Sequence, residues 1–131
     1  MKNNMRKKLA IFLGVLLLIS ISLVFYQQHD QKEIIKTTLV WGNLSPIPQT
    51  AAISKIEKKG SAFTREFYIS FSDSQSNIKQ WLNESIGTSK VTPTIEGDYE
   101  KYSINPGGGA QFAEVIVNTR LNTVLIHVYW S

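Results

Sequence analysis

Residues 9–26, LAIFLGVLLLISISLVFY, are 18 consecutive side chains without a charge. A run of this length leaves few options. As an α-helix it rises about 27 Å at 1.5 Å per residue, close to a hydrocarbon core of roughly 30 Å. A helix also satisfies every backbone polar group internally, which lipid demands. Ahead of the run stands MKNNMRKK, with Lys2, Arg6, Lys7 and Lys8. Basic flanks stay on the cytoplasmic side, which predicts a cytoplasmic amino terminus and residues 27–131 outside. The competing reading is a cleaved secretory signal, whose apolar region spans about 7–15 residues and ends at a small-x-small site. The candidate site is Ser20-Ile21-Ser22, and apolar residues 23–26 continue past it. The expected organisation is therefore a basic tail at 1–8, a transmembrane signal anchor at 9–26, a stalk at 27–36 and an extracytoplasmic domain at 37–131.

Charge separates along the same boundary. The chain carries +4 overall, with 14 basic and 10 acidic residues. Four of the basic residues precede the apolar run, and the ten that remain face all ten acidic ones beyond it. A surface that tracks phosphates needs clustered, uncompensated Lys and Arg, so nucleic acid is not an expected partner. The expected partners are the membrane, through residues 9–26, and a protein of the envelope. Cysteine is absent, so no disulfide staples the outer part. At roughly 100 residues it is large enough to stand on a hydrophobic core.

Periodicity outlines that core. SAFTREFYISFS places Phe63, Phe67, Ile69 and Phe71 on one face, a period-two pattern that predicts a strand. KKGS before it suits a turn from a preceding strand near 53–58. In SDSQSNIKQWLNESIG the period changes: Ile78, Trp81, Leu82 and Ile86 recur at helical spacing. Ser72, Asp73 or Ser74 is placed to cap that helix, and Gly87 to end it in a left-handed conformation. WGNLSPIPQT reads as a loop, with Pro48 positioned to open a short helix. Strands follow at 99–104, 112–118 and 123–130, the last two joined by TRLN as a hairpin. TVLIHVYW is apolar on both faces, which places it inside a sheet. The fold class expected is α+β: an amino-terminal transmembrane helix, then a mainly antiparallel sheet in the order β-β-α-β-β-β, with one main helix on one face.

Catalytic signatures are scarce. Two histidines and no cysteine fall short of a zinc site, which takes three or four such ligands. No Gly-x-Ser-x-Gly elbow is present. Glu96, Asp98 and Glu100 lie in a loop-like stretch and read as a solvated face. No metal, cofactor or catalytic residue is expected. PGGG at 106–109 lacks the Lys and Ser or Thr of a phosphate loop and the spacing of a dinucleotide fingerprint. Its glycines Gly107, Gly108 and Gly109 either turn a corner at positive φ or form a small anion nest from backbone amides.

The segment PGGGAQFAEVIVN…TVLIHVYWS resembles the endings of small bacterial proteins with an amino-terminal anchor and no known activity. The likeness rests on PGGGAQ and the final YWS; it implies a bacterial, membrane-anchored protein and transfers no site residue. The functional expectation is a non-catalytic binding or accessory module. Tyr68, His127 and Tyr129 would form its contact surface on the sheet face opposite the helix, because aromatic rings with polar tips suit interfaces. The rival expectations are an anchored or secreted enzyme and a structural subunit of a membrane complex.

Overall fold

A computed structural model describes residues 2–131. The chain divides into two compact units, one ending at Glu33 and the other comprising Ile34–Ser131. Helix α1, Lys2–Trp41, contributes to both. Its amino-terminal part is long and apolar enough to cross a membrane, and residues 9–26 are exposed throughout. The hydroxyls of Ser20 and Ser22 donate to the Leu16 and Leu18 carbonyls at 2.9 Å each. Their polarity is thereby satisfied within the helix, as an apolar solvent requires. The helix runs through the whole of the expected stalk at 27–36 and on to Trp41.

The second unit is built on a six-stranded antiparallel sheet of order β1-β2-β6-β5-β4-β3. The strands are β1 (Ala52–Gly60), β2 (Arg65–Ser72), β3 (Thr94–Glu96), β4 (Tyr99–Ile104), β5 (Phe112–Asn118) and β6 (Thr123–Trp130). Between β2 and β3 lie α2 (Gln75–Glu84) and α3 (Ile86–Ser89). The α+β class with a mainly antiparallel sheet is as the sequence predicts, and β6 is central, as its two apolar faces require. β3 is an addition: three residues folded back on β4 by Gly97, whose φ of 58° suits glycine.

Alternation along β2, β5 and β6 sets one face of the sheet into the core. Phe67, Ile69, Phe71, Val115, Val117, Val124, Ile126 and Val128 are all buried there. All three helices of this unit pack on that face. From the end of α1, Trp41 stacks on Phe67 at 5.3 Å; from α2, Trp81 meets Phe71 edge-on at 5.2 Å. The α2 stripe of Ile78, Trp81 and Leu82 is buried, which is how an amphipathic helix covers a sheet. Ser74 is its cap, accepting from Asn77 N at 3.2 Å. Asp73 reinforces it, and hydrogen bonds from Thr50 and Asn77 hold its carboxyl below the usual range.

Several local expectations are corrected. Phe63 precedes β2 and is 83% exposed, because the chain turns through Ser61 and Thr64 before the strand starts. No helix opens at Pro48; Ala51 N donates to Pro48 O in a turn, and β1 begins at Ala52. Gly87 does not end α2. That role falls to Ser85, whose backbone is extended and whose N–H and hydroxyl both donate to Trp81 O. The extended residue rotates Ile86 out of the stripe, so it too is 83% exposed. Gly87 instead lies inside α3 against the backbone of Gly42 and Asn43.

The left-handed stop belongs to α1. Asn43 has φ 49°, Leu44 N donates to Leu39 O and Asn43 N to Val40 O. This is the Schellman arrangement, which satisfies carbonyls that a helix end leaves open.

Candidate functional site

The face of the sheet opposite the helices is where the sequence places its contact residues. Strand register orders this face into rows that run across the strands. One row is Glu57–Tyr68–His127–Glu114–Ser103, each residue directly opposite the next on β1, β2, β6, β5 and β4. Beside it runs Lys59–Glu66–Tyr129–Phe112. Residues 7 to 63 positions apart in sequence become neighbours, because antiparallel pairing converts chain distance into lateral contact.

The two rows form one polar network. Tyr68 donates its hydroxyl to Glu66 Oε1 at 2.6 Å, and His127 Nε2 lies 2.6 Å from the same oxygen. On the other side of the ring, His127 Nδ1 lies 3.3 Å from Glu114 Oε1. An imidazolium has an N–H for each carboxylate, whereas a neutral imidazole serves only one as donor. Tyr68 stacks on the imidazole at 4.2 Å, nearly parallel, and Phe112 closes on it at 5.1 Å. Lys59 and Lys55 lie over the Tyr68 ring at 5.2 and 5.7 Å and pair with Glu57. Glu114 is buried; Lys101 pairs with its Oε2 at 3.2 Å, without the alignment of a hydrogen bond.

Titration follows from these contacts. Bonds from Tyr68 first, then His127, hold the Glu66 carboxyl below its ordinary 4.5. Its stabilising contribution is therefore complete above about pH 4.5 and is lost as the pH falls through the lowered native value. The same bond pushes the Tyr68 phenol up to about 12. Burial first, then a bond to Glu100, pushes Tyr102 up to about 12 as well. A phenol with a raised native value stabilises the fold below about pH 10, and that stabilisation is lost as the pH approaches 12. In a phenolate absorbance titration of the full chain, two of the five tyrosines should therefore ionise only near pH 12. Tyr68→Phe should remove one of these late steps; two unchanged late steps would mean that the Tyr68–Glu66 bond is not made.

Of the three contact residues expected, Tyr68 and His127 come together as a stacked pair. Tyr129 stands in the adjacent row, half-buried, outside that stack. Sequence reading missed Glu66, Glu114, Phe112 and the lysines that complete the network. A signal existed for Glu114, a charge between Ala113 and Val115 in the otherwise apolar run 112–117.

A groove of about 370 Å³ opens farther along the same face. It lies over two more rows: Ser70–Leu125–Ile116–Lys101–Thr94, and Thr123–Asn118–Tyr99–Glu96. Ile116 and Leu125 give it an apolar floor. Asn118 Oδ1 is already committed to Arg120 N and Leu121 N in the β5–β6 turn.

PGGG lies elsewhere, against the carboxyl end of α1. Gly107 N donates to Trp41 O at 2.9 Å, and Asn43 Nδ2 donates to Asn105 O at 3.0 Å. Gly108 and Gly109 have φ of 59° and 80°. A Cβ on Gly108 would stand 2.7 Å from the Trp41 ring. The loop turns a corner and closes a helix end at once. A helix carboxyl end is the negative end of its dipole, an unfavourable place for an anion. Among the described residues, no group of three or more His, Cys, Asp and Glu is arranged to hold a metal ion. Comparison with protein families, with curated proteins and with solved structures found no match to this chain.

Proposed function

We propose that the protein is a single-pass, membrane-anchored binding module of bacterial origin, with its cytoplasmic tail at 1–8 and its sheet domain outside the cytoplasm. The reading is of a non-catalytic domain that engages an envelope protein through the open sheet face. The observation that carries it is the state of His127. Both ring nitrogens face carboxylates and Tyr68 and Phe112 pack against the ring, so the residue best placed for acid–base chemistry has no nitrogen left for a substrate. What remains is a surface of half-buried rings and paired charges, which resembles an interface rather than a reaction centre.

Orientation is tested with a reporter active only outside the cytoplasm, fused after Ser131; it should be active and stay with the membrane fraction. A soluble, shortened product would mean that residues 9–26 are a cleaved signal. The contact face is tested by placing a photoreactive phenylalanine analogue at Tyr129 or, on α2, at Gln80. A discrete adduct should form from Tyr129 in native membranes and be absent from Gln80. Equal adducts from both positions, or none from Tyr129, would overturn the reading.

A further inference from the structure

We propose that the groove on the open face binds a basic side chain, lysine or arginine, presented by an extended segment of a partner protein. The inference rests on the reading of this face as a contact surface and adds a specific chemistry at one place on it. Its ground is charge complementarity. Two charged side chains line the groove, Lys101 and Glu96. Lys101 is matched by Glu114, which leaves Glu96 as the uncompensated charge. Glu96 is exposed, and among the described residues its carboxylate takes part in no hydrogen bond or ion pair.

Tyr99 stands directly opposite Glu96 across the β3–β4 pair and on the same face. It is 51% exposed, and its ring has no aromatic or cationic neighbour among the described residues. A carboxylate beside an open aromatic face suits a cationic head, by ion pairing and by attraction to the ring. In the neighbouring row, one and two strands inward, lie Ile116 and Leu125, roughly 8 and 12 Å away by the usual strand spacing and residue rise. Long basic side chains lay their aliphatic stems along such apolar surface while the head stays polar. The rows cross the strands, so the occupant is held by side-chain contacts and not by a backbone ladder.

The test uses the full chain in detergent micelles, isotopically labelled, titrated with a capped pentapeptide carrying one arginine among alanines. Saturable shifts are expected at Thr94, Tyr99, Ile116 and Leu125. The same peptide with citrulline, isosteric and uncharged, should produce none. Glu96→Gln should weaken binding about tenfold or more, and Tyr99→Ala should weaken it while leaving the spectrum of the core unchanged. Glu96 is exposed on a three-residue strand, so the fold is expected to survive its replacement. Equal binding of the citrulline peptide, an unaffected Glu96→Gln variant or the absence of saturable shifts would each overturn the proposal. Methylguanidine binding as tightly as the peptide would also overturn it, by making the occupant a small cation. If the adduct from Tyr129 persists while the groove stays silent, the groove proposal alone falls; loss of the adduct removes the broader reading with it.

Discussion

Trp81→Ala is expected to lower the unfolding free energy of the sheet domain by about 3–5 kcal/mol, the usual range for emptying a buried tryptophan site. The residue is 2% exposed and meets Phe71 edge-on. Its indole N–H also donates to Ser45 O at 2.9 Å, so truncation strips a partner from the 42–51 loop as well as opening a cavity. Domains of this size have total stabilities of roughly 5–15 kcal/mol, so the variant stands near the edge of folding. Denaturant titration of the full chain in detergent, followed by circular dichroism, measures the loss. Trp81→Phe should retain more of the stability, because it keeps the ring and loses only the bond and part of the volume. A loss below about 1 kcal/mol, ordinary for a surface site, would mean that α2 does not seal the core.

Gly87→Ala comes next in size, at about 3 kcal/mol, the upper end of what overpacking costs. A Cβ there would run into the Gly42 carbonyl and stand 2.9 Å from Ile104 Cγ2. The first obstacle is backbone and is fixed by the Gly87 N–H to Asn43 O bond at 2.8 Å. Gly97→Ala is the informative companion. Gly97 has φ 58° with nothing within 4 Å of an added Cβ, so it reads the backbone penalty alone, about 1–2 kcal/mol. If Gly87→Ala proves the milder of the two, the close approach of α3 to the end of α1 is wrong.

These two glycines show what a sequence displays and what it conceals. Gly87 was visible as a special position, but the expected reason was a left-handed helix end. Its real constraint is a backbone 45 residues earlier, and no local pattern reports a contact of that kind. Asn43 is the converse case: it performs the left-handed stop, yet it sits in a stretch whose Gly and Pro draw attention first. Strands β4, β5 and β6 were legible to the residue because alternation and turn chemistry coincide there. β3 was not, since three exposed residues carry no period. The open face was legible in part. Alternation puts Glu66 beside Tyr68 on β2 and gives the face of His127 on β6, whereas the meeting of Glu66 and Glu114 at the His127 ring comes only through register, which depends on which strands pair.

The place of β6 also has a consequence in time. It follows every other strand in chain order, yet it is the strand that joins β1–β2 to β3–β4–β5. While the chain is being made, the two half-sheets can each form locally, but their inner edges stay open until Thr123 and the residues after it have emerged. Phe67, Ile69 and Phe71 wait on one side of that gap, Val115 and Val117 on the other. Closure then depends on pairings such as Phe67 with Val128, and distant pairings of this kind make folding slow. A nascent chain arrested before residue 123 should therefore be held by chaperones or degraded, and one released past β6 should escape both.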